Sequence, residues 1–304
     1  MRVRCLWNQS PHNAFTDLCR WQNRFWLIFR EGGDHASADG RLRLLTSADG
    51  EDWASHHLFQ LENTDLRDPK LMVLPSGALA VLAGGVHQLG DPHLRSYLWV
   101  LEEDDLWSGP RPIAERDYWV WRLCWHGEQG LGIGYGSVGG TSHVRLYRTT
   151  TGDDWDILVP NLCDQDYPNE SAMVFAADGH CTCLLRRDRG AATALLGTAD
   201  PPYFHWQWRD LGIRIGGPAL LRLPDGLLLA TVRLYQPQVR TVLCRLDPQQ
   251  PRLQELVTLP SAGDCSYAGM VAAGDRLWIS YYAQHEGPCA IYLADLAIDP
   301  QWRG

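Results

Sequence analysis

The chain is written in short apolar runs broken by tight polar turns, and one arrangement recurs along it. It reads "FTDLCRWQNRFWLIFRE" (15–31), "RDPKLMVLPSGALAVLAGG" (67–85), "WVWRLCWHGEQGLGIGYG" (119–136), "YPNESAMVFAADGHCTCLLRRD" (167–188), "GPALLRLPDGLLLATVRLY" (217–235) and "SYAGMVAAGDRLWISYY" (266–282). Each is an apolar strand of five to seven residues, a turn with Gly or Asn, and a second apolar strand, which is the signature of a hairpin. The turn residues Asn23, Gly77, Gly127, Gly179, Gly226 and Gly274 fall 54, 50, 52, 47 and 48 residues apart. A repeat of that length holds four strands, and six such repeats predict a β-propeller. The expected fold is therefore all-β: a six-bladed propeller of four-stranded antiparallel blades, with residues 1–304 as one domain. No amphipathic helical pattern competes with it. The last strand, "AIYLADLAI" (290–298), is expected to pair with "RVRCLW" (2–7), closing the ring and removing exposed strand edges.

A second repeat lies outside the hairpins. "SADGEDW" (47–53) and "TTTGDDW" (149–155) share length and spacing. Their Asp and Gly suit a tight turn between outer strands, and the Trp is placed to plug the groove between blades.

Composition narrows the function. A hydrophobic content of 45% is ample for a large core, and 14 Trp with 11 Tyr suit strands and sugar-stacking surfaces alike. A net charge of −9 provides no basic field, which argues against nucleic acid as a partner. An anionic ligand would need a local positive pocket. The nine cysteines are odd in number and sit mostly in apolar strands (Cys124, Cys181, Cys183, Cys244), as buried free thiols in a reducing compartment would. The N-terminal stretch has no apolar h-region and no run of about 18 apolar residues occurs, so a cytoplasmic protein away from membranes is expected. No metal-ligand spacing stands out, and no cofactor is implied.

Hairpins do not need charge at their mouths, yet these carry it. Before the turns stand Asp17, Asp68 with Arg67 beside it, Glu170 and Tyr267; seven residues after them come Arg30, Gly84, Gly134, Arg186, Arg233 and Tyr281. In a propeller the inner strands line the central funnel, so these ends face the usual ligand site. Arginine forks bind carboxylates bidentately, and three in one register point to an acidic group on the ligand. Each residue also has a structural alternative. Arg186 can pair with Glu170 across its own hairpin, Arg30 with Glu31 or Asp34, and Tyr267 can be a wall residue. Trp119 and Trp121 offer stacking or core packing, and Tyr281, His285 and Glu286 in the last exit loop offer substrate contact or strand capping.

In these features the chain resembles the sialidase-like (neuraminidase-like) six-bladed propeller superfamily over essentially its whole length. The Asp-box-like turns at 47–53 and 149–155 belong to the resemblance. So do Glu170 at a strand start with Arg186 sixteen residues on, Arg233 in the next blade, and Tyr267 opening the last. The resemblance implies a glycoside hydrolase in which Tyr267 is the nucleophile and Glu170 its base. Arg186 and Arg233 then hold substrate, and Asp34 or His35, in the loop "FREGGDHASADG", is the acid/base. Where that family carries R-I-P, this chain reads "FTDL", leaving Arg30 or Arg67 to supply the missing arginine.

The expected partner is thus a carbohydrate, and the expected activity exo-hydrolysis of a terminal, acidic sugar through Tyr267, Glu170, Asp34 and His35. Arg30, Arg67, Asp68, Asp17, Arg186, Arg233, Tyr281 and Glu286 are the candidate binding residues. Two other functions use the same residues. A uronate lyase needs a histidine or tyrosine base and arginines for the anion, and a lectin-like propeller needs only the binding groups.

Overall fold

The structure, a computed structural model, describes residues 1–88, 93–138 and 141–303. It is a six-bladed propeller of four-stranded antiparallel sheets, one blade per hairpin repeat. The innermost strands of blades 1 to 6 are His12–Trp21, Thr64–Val73, Tyr118–His126, Pro168–Phe175, Ile215–Arg222 and Ser266–Ala273. Blade 6 takes its outermost strand from the other end of the chain, Arg2–Trp7 pairing antiparallel with Ala290–Ala297 (Arg2 opposite Asp295). The ring is closed inside a sheet, as the sequence predicts. Among the described residues the only helical pieces are two short 3-10 turns, and no helix is long and apolar enough to cross a membrane.

Alternation puts one face of each strand toward each neighbouring blade, so the core is distributed over the seams. Leu42, Leu44 and Phe59 of blade 1 meet Leu79, Val81 and Trp99 of blade 2, and corresponding apolar clusters fill the other five seams. The two polar turns at 47–53 and 149–155 have one geometry. In each, the glycine N–H donates to the hydroxyl three residues earlier (Gly50 to Ser47, 2.9 Å; Gly152 to Thr149, 2.7 Å) and the indole N–H closes on the glycine carbonyl. Trp53 packs at the seam of blades 1 and 6, and Trp155 at that of blades 2 and 3.

Two features bring the inner strands into register around the funnel. First, every inner hairpin carries a break in register at the same level, between Ala14/Asp17, Arg67/Lys70, Val120/Arg122, Pro168/Ser171, Gly216/Ala219 and Ser266/Gly269. A bulge of this kind turns a side chain out of the pleat. Phe15, Asp68 and Tyr267 occupy it with φ of 58°, 50° and 50°, a conformation that non-glycine residues adopt only when the surroundings impose it. Second, blades 1 and 6 touch backbone to backbone: a Cβ on Gly269 would lie 2.0 Å from Leu18 N and 2.6 Å from Asp17 C. Gly269→Ala should therefore force these strands apart and cost about 1–3 kcal/mol, read as a lower urea midpoint; an unchanged midpoint would mean that the seam is slack.

Candidate active site

The bulges aim their side chains at one cluster. The Tyr267 hydroxyl donates to Glu170 Oε1 at 2.5 Å, and Arg186 Nη1 reaches both Glu170 Oε1 (2.6 Å) and the Tyr267 oxygen (3.0 Å). Glu170 Oε2 accepts the Gly217 N–H at 2.8 Å. Gly217 has φ of 54°, and a Cβ there would sit 2.7 Å from the tyrosine ring, so only glycine lets the backbone approach so closely. Thr16 donates to the Tyr267 carbonyl (2.9 Å), which holds the left-handed bulge in place. Arg233 lies over the Tyr267 ring, 5.2 Å from its centroid. Phe15 and Trp121 meet the ring edge-on at 5.3 and 5.8 Å.

Burial, with Glu170 beside it, pushes the Tyr267 phenol well above its ordinary value, Arg186 and Arg233 working the other way. The resting group is a neutral phenol whose proton already leans on a carboxylate. Both arginines stay cationic: burial opposes their charge, but Glu170 beside Arg186, and Tyr282, Tyr267 and Asp264 beside Arg233, outweigh it.

A second hub adjoins the first. Asp264, in the loop before blade 6, takes His35 Nδ1 (2.6 Å) and His12 Nε2 (3.2 Å) on Oδ2, and Arg233 Nη2 (2.9 Å) and the Tyr282 hydroxyl (2.7 Å) on Oδ1. Burial works to raise its pKa, but these four donors prevail and keep it an anion. They also orient His35, which is half exposed at the mouth. The neighbouring Asp34 is exposed, and its carboxylate accepts the His35 backbone N–H at 2.7 Å. Of the two acid/base candidates, His35 is therefore the one tied into the cluster.

The third group is Asp68 with Lys70, on the inner strand of blade 2. Asp68 is buried, and its Oδ1 has no hydrogen-bond partner among the described residues. Burial pushes this carboxyl up to about 7, Lys70 drawing it back and Glu170 raising it further. Burial likewise brings Lys70 down to about 8. The folded protein thus keeps a proton on Asp68 that the unfolded chain releases above about pH 4, so this group's contribution to stability declines as pH rises from about 4 to 7. Asp68→Asn should remove that slope. Between pH 5 and 7 the wild type should lose about 2 kcal/mol more than the variant in urea titrations, and parallel curves would show an ordinary, ionised Asp68.

Several sequence candidates lie outside the cluster. Arg30 is fully buried, its guanidinium spent on Asp65 Oδ1 (2.9 Å), the Asp34 carbonyl (2.7 Å) and Ser37. It anchors the loop that carries His35. Asp17 is also buried and ties three blades at the axis, accepting Leu71 N–H (2.8 Å) and the Arg122 fork (2.9 and 3.3 Å). Tyr281 is core, stacked on Tyr292 with its hydroxyl on the Pro260 carbonyl, and Glu286 accepts the Tyr292 hydroxyl. Arg67 stays at the margin, sharing Asp65 with Arg30 (Nε to Oδ2, 2.7 Å). Trp119 and Trp121 are buried, the first over Gly84 and outside the cluster, the second packed against the Tyr267 ring as part of its wall.

Tyr282 and Tyr135 take the positions expected of Tyr281 and Gly134. The hairpin tips are Gln22-Asn23, Gly127-Glu128 and Gly274-Asp275, flanked by the pairs Trp21–Arg24, His126–Gln129 and Ala273–Arg276. Seven residues from the second tip residue lead to Arg30, Tyr135 and Tyr282; counting from the glycine lands one residue early, on the opposite face. Asp264 and His12 sit in no repeat, and no spacing announces them.

No protein-family model matches the chain, and no curated protein matches it. Solved structures do. A Dyadobacter fermentans protein of unknown function superposes with a TM-score of 0.85 at 18% identity, covering 98% of each chain. A Penicillium chrysogenum alpha-L-arabinanase complexed with arabinobiose does so at 0.67 and 12% identity, over 94% of each chain. A Trypanosoma rangeli sialidase gives 0.72 at 12% identity, covering 94% of this chain and 55% of its own. At these identities what is shared is the six-bladed fold.

Proposed function

We propose that the chain is a glycoside hydrolase that removes a terminal, acidic sugar from an oligosaccharide, with Tyr267 as nucleophile. The observation that carries this reading is the 2.5 Å hydrogen bond from a buried, neutral Tyr267 to Glu170, with Arg186 bridging both. A sugar with a carboxylate on its reacting carbon repels an anionic nucleophile, whereas a neutral phenol approaches freely and ionises only as it attacks. Two resolved glycosidase structures of the same fold, the arabinanase and the sialidase, add support of a general kind.

In the first step the Tyr267 oxygen bonds to the anomeric carbon and its proton passes to Glu170. The glycosidic C–O bond breaks as the His35 imidazolium, held by Asp264, gives its proton to the departing oxygen. In the second step neutral His35 takes a proton from water, whose oxygen displaces Tyr267. The phenolate recovers its proton from Glu170, and substrate plus water has become two sugars. Arg186, already paired with Glu170, and Arg233, paired with Asp264, are the cations nearest Tyr267, with Arg67 on Asp65 at the margin; an acidic group on the sugar would share them with those carboxylates.

The test is mass spectrometry of the protein incubated with sialylated and uronate-bearing oligosaccharides, with ultraviolet absorbance followed in parallel. Fragments whose masses sum to substrate plus water are expected. An unsaturated fragment with new absorbance would replace hydrolysis by elimination, and intact glycan that nevertheless binds would leave a lectin.

A further inference from the structure

We propose that His12, Asp264 and Cys289 form a binding site for a borderline-soft divalent cation, Zn²⁺ by preference, with the fourth position open to water or to His35. One donor atom from each of the first three lies within 4.8 Å of the others. A triangle with sides of 4.8 Å or less places its centre within about 2.8 Å of each corner, so a contraction of roughly half an ångström reaches zinc bonding distances of about 2.0–2.3 Å. The His35 Nδ1 is already 2.6 Å from Asp264 Oδ2.

The frame is rigid where it matters. His12 and Cys289 are joined by a parallel bridge between blades 1 and 6, and Asn13 fastens the Cys289 carbonyl through both its backbone N–H (3.1 Å) and its side chain (2.8 Å). Arg233 and Tyr282 occupy Oδ1 of Asp264, which neutralises the arginine locally and leaves Oδ2 turned toward the two imidazoles. His12 is buried, with Nε2 on Asp264 Oδ2 and Nδ1 without a hydrogen-bond partner among the described residues.

The donor set decides the metal. One thiol, one imidazole and one carboxylate, with water or the His35 imidazole in the fourth position, make a four-coordinate site suited to zinc, whereas calcium and magnesium require mostly oxygen. Coordination strips the proton from the Cys289 thiol and displaces those that His12 and His35 share with Asp264. A cation on Asp264 Oδ2 would also replace the hydrogen bond that holds His35. If the proposed hydrolysis holds, the ion is then an inhibitor; the site itself stands independently of that reading.

The experiment titrates Zn²⁺ into the purified protein in competition with a chromophoric chelator. One equivalent should bind, excess Mg²⁺ should not displace it, and Cys289→Ser and His12→Gln should each weaken it at least about a hundredfold, while Cys5→Ser, at an exposed thiol, leaves it unchanged. Failure of the wild type to take up zinc, or equal uptake by Cys289→Ser, overturns the proposal. Because a core substitution can unfold the chain, Co²⁺ added to the wild type gives a reading free of variants. A near-ultraviolet thiolate-to-cobalt band with intense visible absorption is expected of a tetrahedral site with one sulfur. Bound cobalt without the thiolate band would remove Cys289 from the site and the proposal with it.

Discussion

Tyr267→Phe should abolish hydrolysis while leaving the fold and glycan binding in place. The substitution deletes one oxygen, the atom proposed to bond with the sugar, so kcat should fall by at least about a thousandfold, roughly 4 kcal/mol of barrier, with KM little changed. The phenyl ring still fills its place between Phe15 and Trp121. Nor is Glu170 left bare, since Arg186 at 2.6 Å and the Gly217 N–H at 2.8 Å still satisfy it, so the stability cost should stay near 1 kcal/mol. Kinetics on the oligosaccharide cleaved by the wild type, with a urea titration beside them, separate the two effects. Residual turnover above a tenth of wild type would remove the nucleophile from Tyr267 and favour elimination or a direct attack by water.

The largest stability effect is expected at Asp65, a residue that touches no substrate group. Its carboxylate is fully buried, as is Arg30, and Oδ1 takes Arg30 Nε and Nη2 at 2.9 and 2.8 Å. Oδ2 takes Arg67 Nε (2.7 Å) and the Ser37 N–H (3.2 Å). Glycines make the room: a Cβ on Gly40 would fall 1.8 Å from Asp65 Oδ1, and one on Gly32 2.7 Å from Arg30 Nη1. Asp65→Ala strands a guanidinium in the protein interior and should cost about 3–5 kcal/mol. The double variant Asp65→Leu/Arg30→Met, which removes both charges, should recover much of it. Because Arg30 also holds the Asp34 carbonyl, the single variant should loosen the His35 loop and lower turnover further than its stability alone would. If Asp65→Ala costs under 1 kcal/mol, water reaches this pair and the loop needs no such anchor.

Much of the architecture was legible because the propeller repeats its instructions. Six hairpins at nearly one spacing leave little choice of fold, and the pairing of 2–7 with 290–298 follows from the need to hide two edges. The Tyr267–Glu170–Arg186 cluster was legible for a related reason, since each member sits at a hairpin lip, where position in the repeat is position in space. What was hidden depends on finer physics. Tyr281 and Tyr282 differ by one residue, which in a strand is the whole difference between core and funnel. Arg30 keeps its place in the register, but the buried Asp65 draws its guanidinium away from the funnel, and a charge pattern does not show which carboxylate wins. Asp17 reads as a lip acid yet is consumed by Arg122 and the Leu71 N–H. Asp264 lies in a loop outside every repeat, and its partners His12 and His35 are distant in the chain, so only the closed ring assembles that hub.

The seam that closes the ring also sets a timetable. Blade 6 needs Arg2–Trp7, synthesised before the other strands of the propeller, and Ala290–Ala297, synthesised after them. Throughout synthesis that first strand has no partner, and its apolar positions and open backbone groups are available to neighbouring chains. Contacts so distant in sequence form slowly. Newly made chains should therefore spend their most vulnerable interval as an open ring with five blades built and the sixth waiting. Chaperone demand, domain exchange between copies and sensitivity to protease should all concentrate there, at a joint that in the finished molecule is indistinguishable from any other pair of strands.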